Sequence, residues 1–258
     1  MIRQQPDGEF LYGASMRGQT VVKVALDGRV LMSIDAAALV PDRYKARNAR
    51  SGQLAMLLTA VDVAPNGDLY VTDGYASDFI HRFDREDKYF ASFDGKEAPY
   101  SFTTLHKIAI DKSFDPPRII GVDRANNRVV HMALDGKFLG VVAEGLLLPA
   151  AVAIRGDQAI IGELPGRVTI LDKGGKVVAH VGANTGEGVG SNQLPPDKWV
   201  PDCWCRRTAS PSTRMATSSF PSSNHSETSG GHRPPLQSRR DARMLPFYKA
   251  VFKPPRSN

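Results

Sequence analysis

The chain of 258 residues carries a net charge of +6 and is 41% hydrophobic, which is typical of a globular protein with a sizeable buried core. Its apolar runs are short, such as residues 21–24, and fall far below the roughly 18 residues that a transmembrane helix requires. We therefore expect no membrane segment. The first eight residues contain no apolar signal-peptide core, so the composition assigns no cellular compartment.

The positive charge is concentrated at one end of the chain. Residues 203–258 hold 10 of the 33 basic and 2 of the 27 acidic residues, which leaves 23 basic and 25 acidic residues in 1–202. Cys203 and Cys205 lie in the same tail, but one Cys-Trp-Cys without a second pair is neither a zinc site nor a Cys-x-x-Cys redox motif. Because the body is near neutral, we predict no nucleic-acid partner. A basic-tailed nucleic-acid binder stays an alternative only if the tail is native.

A sequence unit recurs with a spacing of about 44 residues, which lies in the range of propeller blades. In its clearest copy, residues 60–63 and 69–72 are β-prone and flank a turn at Asn66-Gly67. Residues 79–83 and 89–93 follow as a second pair of β-prone runs. Two hairpins in succession give four strands, which is the content of one blade.

The same order of elements predicts four blades, although the first copy lacks an opening strand. Short strands without an amphipathic helix leave a propeller or a sandwich, and the four-strand period favours the propeller. We therefore predict an all-β fold, an incomplete β-propeller of about four blades within residues 1–202. Two longer insertions, residues 35–54 and 182–199, are expected to be loops on one face. The predicted blades are about 7–35, 58–95, 104–145 and 149–182.

The pattern stops at residue 203. Residues 203–258 contain 10 Ser and 7 Pro, a composition that predicts disorder. A basic Ser-rich binding tail is one interpretation. We favour another: in a shifted reading frame, residues 207–220 are compatible with a further blade, so the tail is interpreted as out-of-frame translation. An uninterrupted gene with no blade in the alternative frame would refute this interpretation.

Candidate functional residues lie at equivalent positions of the repeats, because no hydrolase or phosphate-loop motif is present. Propellers bring the openings of successive blades together around a central channel, where polar side chains can converge. His106 opens the third repeat, while Tyr75 and Arg124 follow the second strand of their repeats. Turn chemistry and a solvated arginine are the structural alternative for these motifs. His81, His131 and His180 lie within outer strands and are predicted to be surface or packing residues.

Two runs of sequence resemble the NHL-repeat family. They are residues 61–75, which end in Asp-Gly-Tyr, and residues 122–129, which contain Asp-Arg-x-Asn-x-Arg. Within that family the chain resembles the peptidylglycine α-hydroxyglycine amidating lyases, six-bladed propellers that release glyoxylate and leave an amidated peptide. The resemblance implies a zinc ion bound by His106, with calcium as a second possible ion. It also implies that Tyr75 and Arg124 act on the substrate.

The chain departs from that family in two respects. His106 is the one matching zinc histidine, since the others would precede Met1 or fall in the tail, and stable zinc sites need three or four protein ligands. Asp78-Phe79 replaces the small polar and basic pair expected after Tyr75. We therefore expect a propeller without catalytic activity, which binds a small-molecule, peptide or protein ligand at one face. The alternative is a zinc-dependent lyase of the amidating type.

Overall fold

The computed structural model describes residues 2–5 and 8–182, and within them the fold is a four-bladed β-propeller that is nearly all β. Each blade is an antiparallel sheet of four strands that follow one another in chain order. The predicted fold class is thus confirmed. The strands of the first two blades are β1 (Ile2–Gln5), β2 (Gly8–Ser15), β3 (Thr20–Ala25), β4 (Val30–Asp35), then β7 (Ala60–Val63), β8 (Leu69–Thr72), β9 (Phe79–Phe83) and β10 (Tyr89–Asp94). Those of the other two are β11 (Leu105–Asp111), β12 (Arg118–Asp123), β13 (Arg128–Ala133), β14 (Phe138–Ala143), β15 (Pro149–Arg155), β16 (Gln158–Glu163), β17 (Val168–Leu171) and β18 (Val177–Val181).

Alternation along the strands explains why the blades stack face to face. In β8, Leu69 and Val71 belong to the apolar cluster shared with the first blade, whereas Tyr70 belongs to the cluster shared with the third. Successive side chains of a strand point to opposite faces, so one strand contributes to two cores. A third cluster joins the third and fourth blades through residues such as Val129 and Ile161. These layers bring the first strands of neighbouring blades, β7, β11 and β15, next to one another.

The first blade is more complete than predicted. We expected it to lack an opening strand, but β1 pairs with β2 from Ile2 opposite Leu11 to Gln5 opposite Gly8. The sequence Ile-Arg-Gln-Gln shows no apolar alternation and gives no strand signal of its own. Its tertiary contacts explain the pairing, because Arg3 forms an ion pair with the buried Asp62 of the second blade, with a closest N–O distance of 2.5 Å.

The insertion at residues 35–54 is more ordered than the predicted loop. Asp35 caps a single helical turn, α1 (Ala36–Leu39), by accepting a hydrogen bond from the Ala38 amide. A 3-10 turn (Asp42–Tyr44) and a ribbon of β5 (Ala46–Arg47) with β6 (Leu54–Ala55) follow. Short polar segments of this kind resemble loops in sequence, since each holds too few residues to display a period.

The predictions for residues 182–199 and 203–258, including the out-of-frame interpretation of the tail, fall almost entirely outside the described residues. Within the described part, the one α-helix has four residues, and no helix is long and apolar enough to cross a lipid bilayer.

Candidate functional site

The three residues singled out by sequence, Tyr75, His106 and Arg124, meet near the start of β11. The Tyr75 hydroxyl lies 2.9 Å from Nε2 of His106. A guanidinium nitrogen of Arg124 donates to the same hydroxyl over 3.0 Å. Tyr75 and Arg124 come from the loops after β8 and β12, and His106 comes from β11. Side chains that are 31 and 49 residues from one another in sequence thus converge on one phenolic oxygen.

A β-bulge places His106 at this site. Leu105 pairs with Asp123 and Lys107 pairs with Val122, so His106 is the extra residue in β11. Bulges re-aim side chains and are enriched next to active sites. The fourth blade has the same irregularity between Pro149 and Ala151, which makes Ala150 the counterpart of His106. The two counterparts touch, since Nδ1 of His106 lies 2.7 Å from the Ala150 carbonyl oxygen.

The hydrogen bonds assign the protons of the site. A carbonyl oxygen only accepts, so Nδ1 of His106 carries the proton that is donated to Ala150. Nε2 of the neutral imidazole is then an acceptor, and Tyr75 donates its hydroxyl proton to it while accepting from Arg124. Burial lowers the pKa of His106 below its ordinary value of 6.5, and the charges of Arg124 and Lys107 lower it further. His106 is therefore neutral at pH 7.

A repeated carboxylate clamp holds the loops around the site. The carboxylate that ends the second strand of a blade accepts a hydrogen bond from a backbone amide in the loop that enters the same blade. The pairs are Asp73 with Leu57 at 2.5 Å, Asp123 with Thr103 at 2.9 Å and Glu163 with Leu147 at 2.5 Å. This supports the turn interpretation for the aspartates that precede Gly74 and Arg124, and it means that their role is to position the loops.

The clamp of the second blade lacks a counter-charge. Asp123 pairs with Arg128 and Glu163 with Arg167, each over less than 3 Å. Phe79 occupies the arginine position beside Asp73, whose carboxylate instead accepts from the Ser77 hydroxyl over 2.6 Å. Burial accordingly raises the pKa of Asp73 to about 6, partly opposed by the hydrogen bonds.

Gly74 is needed where the Tyr75 loop approaches β11. A Cβ atom at this position would lie 2.0 Å from the Leu105 carbonyl oxygen and 2.9 Å from the Thr59 hydroxyl. Asp78, at the other end of the loop, accepts from the Leu105 amide over 2.8 Å. The loop is therefore fixed to the residue before His106 from both sides, which sets the distance between Tyr75 and the imidazole.

Arg124 differs from most of the half-buried arginines of the blades. Arg3, Arg82, Arg128 and Arg167 each form an ion pair with a buried or nearly buried carboxylate. Arg124 has no carboxylate partner among the described residues. Its guanidinium carbon lies 5.1 Å from the centroid of the Tyr75 ring, and the guanidinium donates a hydrogen bond to the Tyr75 hydroxyl. A cation held in this way is a ready anchor for an anionic ligand.

The zinc ion implied by the family resemblance does not fit the donor set. Within residues 2–5 and 8–182, no three His, Cys, Asp or Glu side chains cluster as metal ligands. Ala150, the counterpart of His106, offers no imidazole, and Nε2 of His106 already accepts from the Tyr75 hydroxyl, which in turn accepts from Arg124. The positive charge of Arg124 also opposes the binding of a second cation in this site.

Comparison with known proteins agrees with the fold. No family profile and no curated protein sequence matches the chain. Among solved structures, the chain is similar to hydrazine synthase of Kuenenia stuttgartiensis, with 16% identity and a TM-score of 0.50 over 69% of this chain and 47% of that one. Virginiamycin B lyase of Staphylococcus aureus gives 13% identity and a TM-score of 0.48 over 69% and 53% of the two chains. A protein of unknown function from Bacteroides caccae gives 16% and 0.46 over 73% and 62%.

The chain thus spans about half the length of the first of these structures, 47%, and less than two thirds of the other two. At identities of 16% or less, the likeness shows the fold alone.

The other three histidines of the described residues belong to outer strands of the blades. His81 and His131 are buried in β9 and β13, and His180 is exposed in β18. Sequence reasoning did not identify the Ala150 carbonyl or the neighbouring Lys107 as parts of the site. A backbone acceptor leaves no mark in a sequence, and Lys107 in a strand resembles any solvated lysine.

Proposed function

We propose that this chain is an NHL-type propeller that binds a small-molecule or peptide ligand through a carboxylate, at the site formed by Tyr75, His106 and Arg124. The observation that carries the proposal is the Arg124 guanidinium, which is half-buried, has no carboxylate partner among the described residues and donates to Tyr75. Four other half-buried arginines, Arg3, Arg82, Arg128 and Arg167, are neutralised within the protein by carboxylates.

The three side chains supply different parts of the recognition. Arg124 presents a planar set of donors that matches the two oxygens of a carboxylate. Tyr75 donates to His106 and accepts from Arg124, so its second lone pair can accept from a hydroxyl or amide next to that carboxylate, while the neutral His106 fixes the orientation of the Tyr75 hydroxyl. Their partial burial strengthens these bonds relative to bulk water.

Calorimetric titration with lactate and lactamide tests the proposal. Lactate combines a hydroxyl with a carboxylate, and lactamide replaces the charge with a neutral group of similar shape. We expect lactate to bind and lactamide to bind at least tenfold more weakly, because the charge-assisted hydrogen bonds to Arg124 are lost. The substitution Arg124→Gln should remove this preference. Arg85→Gln is the matched control, since Arg85 is an exposed arginine in the turn between β9 and β10.

Equal affinities for lactate and lactamide, or an Arg124→Gln variant that still prefers lactate, would contradict the proposal.

A lyase activity of the amidating type is the second candidate, and the hydrogen bond from Tyr75 to Nε2 of His106 favours it. Tyr75 can pass its proton to the imidazole and take the hydroxyl proton of an α-hydroxyglycine residue. The C–N bond then breaks, the amide nitrogen takes up a proton and glyoxylate leaves. Incubation with a peptide that ends in α-hydroxyglycine tests this directly. Release of glyoxylate that is lost on Tyr75→Phe would establish the lyase, and its absence would leave ligand binding alone.

A further inference from the structure

Lys107 is a second cation beside the site without a counter-ion. It follows His106 in β11 and is half-buried. Its backbone pairs with Val122 of β12, whereas its side chain forms no ion pair or hydrogen bond with any residue that the structure describes. Burial lowers the pKa of Lys107 below its ordinary value of 10.5, Asp62 partly opposes this effect, and the charge of Arg3 reinforces it.

The nearby carboxylate is already saturated. Asp62 accepts from Nε and a terminal nitrogen of Arg3, over 2.6 and 2.5 Å. It also accepts from the backbone amides of Val63 and Ile110, each over 2.7 Å. A carboxylate offers about four acceptor positions. With all of them in use, and with its charge matched by Arg3, Asp62 does not neutralise Lys107.

Lys107 and Arg124 act on the same imidazole. Lys107 is the next residue after His106 in β11, and Arg124 is linked to His106 through the Tyr75 hydroxyl. The positive charges of both side chains lower the pKa of His106. They come from different blade elements, Lys107 from β11 itself and Arg124 from the loop after β12. The neutral His106 therefore lies in a half-buried site with one unpaired cation from the strand and another from the loop.

Unpaired cations are costly in a site that excludes part of the surrounding water. An anion bound near both would gain from two charge-assisted contacts without displacing an internal ion pair. We propose that Lys107 binds a second anionic group of the ligand, so that the site takes a small organic dianion, such as a hydroxy-dicarboxylate. This inference rests on the proposed carboxylate binding at Arg124 and specifies the ligand class.

Titration with malate and lactate tests the inference. Both carry a hydroxyl beside a carboxylate, and malate adds a second carboxylate. We expect malate to bind about tenfold more tightly than lactate, the size of effect expected for one added charge-assisted hydrogen bond. Lys107→Met should reduce this ratio to about one while leaving lactate binding in place, and Lys107→Arg should restore it. Lys137→Met, at an exposed lysine in the turn between β13 and β14, is the charge-matched control.

The outcomes separate the inference from the function on which it rests. Equal binding of malate and lactate by the native protein, or a malate preference that survives Lys107→Met, would overturn the inference and leave the Arg124 site intact. Failure of both ligands to bind in an Arg124-dependent way would overturn the proposed function itself. Thermal unfolding curves of each variant establish that it is folded before it is titrated.

Discussion

The backbone amide of Asp73 donates to the carbonyl oxygen of Phe79 over 3.0 Å, at the position where the next two blades set a carboxylate opposite an arginine. Because Phe79 is apolar, the buried carboxylate of Asp73 has no counter-charge. This carboxylate directly precedes the loop that carries Tyr75. Asp123 and Glu163, by contrast, hold their loops as members of ion pairs. The second blade therefore keeps the hydrogen bond between the carboxylate and the entering loop, but it has no arginine to balance the charge of that carboxylate.

We predict that Asp73→Asn stabilises the protein at neutral pH. The pKa of Asp73 is raised to about 6 in the fold from an ordinary value of 3.8. The stability that it contributes is full below pH 4 and is lost as the pH rises through 6. Asparagine keeps an acceptor for the Leu57 amide without the charge. The free energy of unfolding of the variant should exceed that of the native protein at pH 7.5 by on the order of 1–3 kcal/mol, and the difference should vanish near pH 4.

Asp123→Asn is expected to act in the opposite direction. The Asp123 carboxylate is buried and forms an ion pair of 2.8 Å with Arg128. Its neutralisation leaves a largely buried guanidinium unpaired, which costs about 3 kcal/mol. Urea unfolding at pH 7.5 provides the measurement for both variants. If Asp73→Asn and Asp123→Asn changed the free energy of unfolding equally, the replacement of an arginine by Phe79 in the second blade would have no energetic consequence.

Gly74→Ala should both destabilise the fold and separate the site residues. The new methyl group would lie 2.0 Å from the Leu105 carbonyl oxygen, which belongs to the backbone and cannot rotate away. Overpacking of this kind costs about 1–3 kcal/mol, and it displaces the Tyr75 loop from His106. Gly13→Ala is the control, since its Cβ would meet only an ordinary contact of 3.5 Å. A fully stable Gly74→Ala protein with unchanged lactate affinity would contradict the packing argument.

His81 should make the protein sensitive to acid. It is fully buried, its Nδ1 lies 2.7 Å from the Ser92 hydroxyl, and burial lowers its pKa from 6.5 to about 3. The unfolded chain takes up this proton first, so stability is present above pH 6.5 and is lost as the pH falls towards 3. His81→Gln should lose less unfolding free energy than the native protein over this range, by a few kcal/mol. Parallel pH profiles would show that His81 is not buried in the neutral form.

The sequence was sufficient for the blades because period-2 alternation and turn chemistry are local. The turn at Asn66-Gly67 has Gly67 at a φ of 92° and separates two strands that bury every residue. The opening strand β1 could not be found in this way. Its polar residues form a strand through pairing with β2 and the contact of Arg3 with Asp62, which lies 59 residues away.

For the site, repeat position predicted which side chains would meet, but not what each one contacts. Tyr75, His106 and Arg124 were identifiable because equivalent positions of successive blades face one channel. Backbone register determines the bulge at His106 and the contact with the Ala150 carbonyl. The unpaired state of Lys107 depends on which carboxylates already form ion pairs with other residues. These are properties of the packed blades.

The most direct test of the account is the ¹⁵N spectrum of His106 during titration with lactate, assigned with His106→Gln. We predict an imidazole that is neutral at pH 7, with the proton on Nδ1 and with Nε2 accepting from Tyr75. Lactate should shift the Nε2 signal in the native protein and leave it unchanged in Arg124→Gln. A proton on Nε2, or a lactate response that is independent of Arg124, would contradict the convergence of the three side chains on one ligand.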